Sequence, residues 1–508
     1  MNDKSILNTL KSDSRVKILL SIFLVALAFR LWGVTNPLLD FHSWRQTLTA
    51  TIAQNFYSGE MNIFKPISNL VEPYYAYEFH FYTFIVAILY KIFGFHDFLG
   101  RLVAIGFSLG AMGMLYLLTK RYFDATAATI AIAFFAVLPM SVFYGRTFMP
   151  EAAMLFFSIA LIYYFSLWLE TQRWLHFFAA VLCAALAFLI KLPTLYLGGP
   201  LLFLAWMKYR KTIFAQPRLY LYAFLILLPA VLWYGYCAKL QSEAYGGSNL
   251  WVDLISNWDR LTTLRWYRLI FWTRLVEKMF AFTAFPFLVL GFIAKVKKPE
   301  QAVFHVWFLS VCAYFFIAAE LNFVHEYYQV PIIPVGCVFI GKFLSGFWEK
   351  TRTEKWTANY KIGVVVLMIV FIPIHSIYKL NKRLGFNDEY LIIGEKIKEH
   401  SQKSDRIVAQ DKYIPVSNKG GESGSPHLFY FSNRKGWIHG VNFTLSPEKL
   451  EGYISRGARL YVITKQDLEK TNPELSSYLT ENHHLELKNE LMTLFRLTPH
   501  SLKTSGGP

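Results

Sequence analysis

The sequence is poor in charge. Asp, Glu, Lys and Arg make up 17% of its 508 residues, against 55% hydrophobic and 18% aromatic. A soluble chain of this length would carry far more charge and split into several domains. It is also poor in cysteine. Cys183, Cys237, Cys312 and Cys337 all lie inside apolar runs, where they read as small core residues rather than a disulfide or metal framework, and they leave the compartment undefined. Acid is scarcer than base: 34 acidic residues face 51 basic ones, a net charge of +17. In a chain of long apolar runs, that surplus is better read as Lys and Arg collecting in cytoplasmic loops and at anionic headgroups than as a nucleic-acid surface. No internal repeat stands out. No small-residue cleavage pattern follows the first apolar run, Ile18 to Trp32, so this run reads as a retained span behind a basic start.

What is present is hydrophobic length. A span needs roughly 20 apolar residues, and about eleven runs qualify or nearly do. They centre on residues 17–33, 100–119, 126–143, 152–169, 174–190, 195–207, 219–240, 277–295, 302–319, 330–347 and 362–379. Lys120, Arg121, Arg173, Lys208, Arg210, Lys211, Lys295, Lys297, Lys298, Lys350, Arg352 and Lys355 fall on one side if the N-terminus is cytoplasmic. Phe79 to Phe93 is short and aromatic, and reads as an interfacial or re-entrant helix on the outer face. Residues 34–99 then form a large first outer loop. Arg260, Arg265, Arg268 and Arg274 are exceptions to the charge rule, on the predicted outer side.

Past residue 380 the apolar runs stop. Residues 385–503 read as a small α/β domain. Tyr390–His400 has helical spacing, Arg406–Asp411 and Leu460–Thr464 read as buried strands, and His484–Leu497 as a hairpin or two edge strands. Ser446 followed by Pro447 marks a helix start. Gly420–Ser425 reads as a loop without a phosphate-binding fingerprint, Asn442-Phe-Thr fits a glycosylation acceptor, and residues 504–508 are set aside as a non-native tail. The expected architecture is a polytopic α-helical membrane module over residues 1–380, with a C-terminal α/β soluble domain outside the cytoplasm.

Four polar clusters fall in predicted outer loops. Asp40-Phe-His-Ser-Trp-Arg-Gln46 places an acid beside an interfacial Trp and Arg, although an anion near hydrocarbon is costly without a partner. Tyr144-Gly-Arg-Thr-Phe-Met-Pro-Glu151 brackets a turn with Arg146 and Glu151, which also suits a simple helix cap. Lys191 stands where a span meets the surface and can snorkel or meet a lipid phosphate. Asn322-Phe-Val-His-Glu-Tyr-Tyr-Gln-Val-Pro331 crowds His, Glu and two Tyr into one turn. Carboxylates, cations and aromatics on one face suit group transfer from a phosphate ester. An acid takes the proton from an attacking hydroxyl, cations hold the departing phosphate, and aromatic rings stack on sugars.

In these motifs, together with the Tyr-rich Pro73-Tyr-Tyr-Ala-Tyr-Glu78, the chain resembles the GT-C glycosyltransferases over about residues 15–380. The closest look is to the protein O-mannosyltransferase and lipid A aminoarabinose transferase branch. The resemblance implies an inverting transfer from a polyprenyl-phosphate sugar, of undecaprenyl-phosphate type, to a lipid A, glycan, lipid or protein acceptor. It puts the general base on Asp40 and a second acid on Glu151. Donor-phosphate contacts fall on Arg45, Arg146, Lys191 and His325, with one arginine of the 260–274 loop. His42, Trp44, Glu78, Tyr327 and Tyr328 line the substrate. No cofactor is expected to be required; if a divalent metal binds, Asp40, His42, Glu78 and Glu151 are its ligands. The implied setting is an inner or plasma membrane, with the active site on the extracytoplasmic face. A lipid or polysaccharide transporter is a rival reading, but it would show inverted repeats and polar midplanes that this sequence lacks. An O-antigen-type polymerase or ligase, which leans on Arg and His instead of an Asp base, is another. A third is a scaffold whose tail does the binding.

Overall fold

The computed structural model describes residues 3–69, 78–245, 258–351, 357–411, 426–440 and 443–498. Residues 73–77 of the Tyr-rich motif, the Gly420–Ser425 loop, Asn442 and the last residues lie outside that set. The chain divides into two compact units. One comprises Met1–Asn36, Ala76–Leu89 and His96–Leu384; the other comprises Pro37–Tyr75, Tyr90–Phe95 and Gly385–Pro508.

The first unit is helical, and a helix lies over each of the eleven apolar runs. Among the described residues, six stretches are long and apolar enough to cross a bilayer: Asp97–Tyr122, Glu151–Thr171, Pro217–Leu240, Pro299–Ile317, Ile332–Thr351 and Lys361–Glu399. A seventh is added if Leu264–Met279 and Ala284–Ile293, bent by 109°, form one broken span. Phe81–Phe93, Ala125–Val137 and Trp174–Ile190 are shorter apolar helices, so a count of eleven full spans does not follow from length alone.

Between apolar helices surrounded by apolar chains, small residues allow the backbones to approach closely. A Cβ on Gly341 would stand 2.3 Å from the Ala127 carbonyl oxygen, and one on Gly291 would stand 2.0 Å from that of Phe339. Helix Ile332–Thr351 is thereby packed against both Ala125–Val137 and Ala284–Ile293.

Polar groups repair the breaks. Pro139 has no N–H to continue helix Ala125–Val137, so the chain restarts as Pro139–Tyr144 and frees the carbonyls before the break. The fully buried Arg30 supplies the missing donors. Its guanidinium donates to the carbonyls of Ala136 at 3.1 Å and Phe135 at 3.3 Å, to Ser141 Oγ at 3.2 Å and to Ser108 Oγ at 2.8 Å. Near the end of the first helix, Gly33 turns the chain at φ +67°, where a Cβ would also meet Asn36. Arg101 and Arg146 hold the carbonyls of that turn. Arg101 donates to Gly33, Val34 and Asn36, and Arg146 to Gly33 at 2.5 Å.

The second unit carries a five-stranded sheet: β1 (Arg406–Asp411), β2 (Lys435–Gly440), β3 (Ala458–Thr464), β4 (His484–Lys488) and β5 (Met492–Arg496). Their order is β2-β1-β3-β5-β4, with β1 parallel to β2 and β3, and β5 antiparallel to β3 and β4. β1 and β3 are buried almost throughout, around the apolar cores Ile407–Ala409 and Leu460–Ile463, as suits central strands of a sheet. Ser446 caps its helix by accepting from Lys449 N–H, with Pro447 at the first position. Within this unit Asn69 joins the sheet layer: Gly436 N–H donates to its carbonyl at 3.1 Å, and its own amide donates to the Phe429 carbonyl at 3.3 Å. Buried His427 stacks on Tyr390 with ring centroids 4.9 Å apart, and burial pushes its pKa down to about 3.

Candidate functional site

In the second unit, the Asp40 motif is the entry to a helix, not a loop. Ser43–Ser58 is helical, and the residue before it, His42, sits at φ 60°, ψ 31°, a left-handed conformation uncommon for a side-chain-bearing residue. The Arg45 and Gln46 N–H groups both donate to the His42 carbonyl at 3.0 Å. This tight turn throws Asp40 back along the first helical turn. There, Gln46 donates through Nε2 to the Asp40 carboxylate and to the Phe41 carbonyl at 3.0 Å. Asp40, Arg45 and Gln46 are all buried, whereas Trp44 is partly exposed. A carboxylate fixed at one oxygen by an amide donor has a defined direction for its proton-accepting lone pairs.

In the first unit, three residues far apart in sequence meet. Lys191 Nζ lies 3.0 Å from Glu151 Oε1 and 3.3 Å from Glu78 Oε2. Each is brought there by the end of a helix. Glu151 is the first residue of Glu151–Thr171, where the helix N-terminus favours an acid. Lys191 closes Trp174–Ile190. Glu78 precedes Phe79, whose N–H is tied to the Leu189 carbonyl at 2.9 Å. The ammonium also faces the rings of Tyr327 at 5.2 Å and Tyr328 at 5.4 Å. His325 stacks on Tyr327 with centroids 4.9 Å apart and planes 14° from parallel.

Glu78, Glu151, Lys191, His325, Tyr327 and Tyr328 therefore form one constellation. Arg146 is buried at the Gly33 turn instead. Two carboxylates share one ammonium, so Lys191 is already compensated by acid. Next to this group, Glu326 accepts from Tyr144 OH at 2.8 Å and pairs with Lys278 at 2.7 Å and Arg383 at 2.5 Å. Glu326 belongs to the turn of His, Glu and two Tyr that the sequence marks out, whereas nothing in the local sequence sets Lys278 or Arg383 apart from other cations beside apolar runs. Among the described residues, no group of three or more His, Cys, Asp or Glu is placed to hold a metal ion.

Residues 80–234 match a family described as dolichyl-phosphate-mannose-protein mannosyltransferase. Among solved structures, the chain is similar to ArnT from Cupriavidus metallidurans. Against its apo state the TM-score is 0.65 at 14% identity, covering 98% of this chain and 100% of that one. The chain has the GT-C fold. ArnT bound to undecaprenyl phosphate matches with a TM-score of 0.61 at 14% identity, over 98% of this chain and 99% of that one. The GT-C likeness extends to the archaeal oligosaccharyltransferase AglB from Archaeoglobus fulgidus, solved with an inhibitory peptide and a dolichol-phosphate. Its TM-score is 0.56 at 13% identity, over 91% of this chain and 70% of that one. No curated protein matches the chain in sequence. The GT-C architecture and the apolar helices make this a multi-pass membrane protein.

Proposed function

We propose that the protein is an inverting glycosyltransferase that takes a sugar from a polyprenyl monophosphate and gives it to an extracytoplasmic acceptor. In this reading the acceptor hydroxyl oxygen bonds to the anomeric carbon. The bond from that carbon to the phosphate oxygen breaks, and the electron pair leaves with the lipid phosphate. Asp40 takes the hydroxyl proton as general base. Lys191, with Glu78, Glu151, Tyr327 and Tyr328, shapes the polar end of the donor pocket, where aromatic faces suit a sugar ring. Arg45 and His325 are retained as donor-side contacts, Arg146 as support for the turn at Gly33, and His42 and Trp44 as neighbours of the base. The reading places the N-terminus in the cytoplasm and the second unit outside it, and it requires no metal.

The observation that carries this reading is the oriented Asp40 carboxylate, buried and held by Gln46. The near full-length likeness to a protein solved with undecaprenyl phosphate supports the donor class. A transporter needs no such oriented acid. The test is Asp40→Asn, supplied with polyprenyl-phosphate sugars and membrane extract. Transfer should fall by roughly 10²- to 10⁴-fold, the usual worth of a general base. Transfer at the wild-type rate removes Asp40 from the reaction, and no transfer by the unaltered protein with any such donor rejects the enzyme reading.

A further inference from the structure

Three helices of the first unit border an open groove of about 460 Å³, inside the roughly 300–1,000 Å³ range of ligand pockets. Its walls include Leu19 and Phe23 from Asp3–Leu31, Gly110, Gly113 and Tyr116 from Asp97–Tyr122, and Phe156 from Glu151–Thr171. A Cβ on Gly113 would meet nothing within 4 Å, so the side chain it lacks is part of the groove. A Cβ on Gly110 would stand 3.0 Å from the Phe156 ring, which packs across the helix at that point.

Helix register sets the depth of the groove. Asp3–Leu31 and Asp97–Tyr122 run antiparallel, since Arg101 reaches the Val34 carbonyl and Arg30 reaches Ser108. Equal steps along the two helices bring Leu19 level with Tyr116, and Arg15 level with Lys120. Arg121 pairs with Glu170, so Asp97–Tyr122 and Glu151–Thr171 end at one level. Glu151, beside Lys191, opens the other end of that 21-residue helix, about 30 Å away. This distance is the thickness of a bilayer's hydrocarbon. The Arg15–Lys120 end of the groove and the Lys191 constellation therefore lie at opposite faces of the membrane.

Two exposed cations flank the groove at this end. Arg15 precedes Leu19 and Phe23 on one helix stripe, and Lys120 follows Tyr116 on another, each four residues from a wall residue. Lys120 Nζ lies 5.9 Å from the centre of the Tyr116 ring. Nearby acids are engaged: Glu170 by Arg121, and Asp124 by the Ala127 N–H at 2.8 Å and the Ser345 hydroxyl at 3.3 Å. An apolar trough that ends beside two cations matches a molecule with a hydrocarbon chain and an anionic head. The sugar donor does not meet this description, because the proposed function puts its phosphate on the opposite face. A helix of a second copy would need a bare stripe of small residues, and Phe156 covers Gly110.

We propose that this groove binds an acyl chain of an anionic glycerophospholipid, with Arg15 and Lys120 holding the lipid's phosphate. The experiment uses the full-length protein in phosphatidylcholine nanodiscs. The probe is phosphatidylglycerol at low mole fraction, with a photoreactive diazirine in one acyl chain. After irradiation, peptides holding Phe23 and Leu117 should carry the label. The same diazirine chain on a phosphatidylcholine head should label them at least tenfold less. Gly113→Leu places a side chain in the open space, in a helix that leucine favours, and should abolish the labelling. Arg15→Gln and Lys120→Gln should each lower it about fivefold, the worth of one cation near an anionic surface. Equal labelling by the two heads, or wild-type labelling of Gly113→Leu, overturns the site. So does wild-type labelling of the double variant Arg15→Gln, Lys120→Gln, whose exposed positions keep the test decisive should Gly113→Leu fold poorly. Competition by unlabelled polyprenyl phosphate but not by unlabelled phosphatidylglycerol would give the groove to the donor's tail. A dimer mass in the unaltered protein that Gly113→Leu loses would give it to a second copy. Either result overturns the phospholipid assignment. Sugar transfer does not enter the readout, so the site stands or falls apart from the enzyme reading.

Discussion

Lys191 Nζ stands 3.0 Å from Glu151 Oε1, although the two residues close and open different helices. With Glu78 on its other side, the lysine keeps two buried acids together. Lys191→Met leaves those acids without their cation, and breaking a buried pair in this way costs about 3–5 kcal/mol. The midpoint of thermal unfolding in detergent should drop by several degrees. Adding Glu151→Gln and Glu78→Gln to Lys191→Met should restore much of the loss, because no buried charge is then left unpaired. An unchanged midpoint in the single variant would show that the triad is not a stabilising element.

Gln46, itself fully buried, donates to the Asp40 carboxylate and fixes its direction. Gln46→Ala frees that carboxylate to rotate, and small misplacements of a reacting group cost up to about 10²-fold in rate. The turnover number should fall while donor binding stays near the wild-type value. A fall in donor affinity with turnover intact would make Gln46 a binding residue instead.

Arg30 is expected to matter for folding rather than for transfer. Arg30→Met removes the donor to the Ala136 carbonyl at the Pro139 break and leaves the Phe135 carbonyl with only Ser141 Oγ, at 2.6 Å. Each unsatisfied buried group costs about 1–3 kcal/mol. The variant should unfold at a clearly lower temperature or fail to accumulate, whereas Leu31→Ala, at an exposed neighbour, should not. Equal stability of the two would contradict the role given to Arg30.

Acid should loosen the second unit. Burial holds His427 at a pKa of about 3, well below the ordinary histidine value. The unfolded chain therefore binds a proton that the folded one refuses, and stability falls as pH drops from about 6.5 towards 3. Glu486, held low by Arg496, works in the same direction at the acid end of that window. Hydrogen exchange of the intact protein should show β1 and β3 losing protection between pH 6.5 and 4. His427→Phe should lessen that loss. Protection independent of pH over this window would show that His427 does not set the acid response.

Much of the fold could be read from residue order, because the relevant signals are local. Hydropathy located a helix over each of the eleven apolar runs, short apolar stretches marked β1 and β3, and Ser446-Pro447 marked a helix start. The misses have physical causes. The helix Ser43–Ser58 carries little apolar periodicity, since almost all of it is buried whatever its polarity. β2, Lys435-Gly-Trp-Ile-His-Gly440, is short and bounded by glycine, and takes its strand form from pairing with β1. Arg30 and Arg101 sit at the edges of apolar runs, where a basic residue normally marks a loop; here both are fully buried and bind carbonyls.

The candidate site was legible as residue types and not as partnerships. Hydropathy and motif order determined a multi-pass helical chain with an acid after the first span, an acid before another, and a His-Tyr turn near the end. Only the tertiary structure decided that Lys191 lies between Glu78 and Glu151, that Arg146 serves a backbone turn, and that Lys278 and Arg383 share Glu326. Hydropathy depends on each residue and its near neighbours. An ion pair depends on where two distant helix ends arrive, and that is set by the packing of the whole bundle.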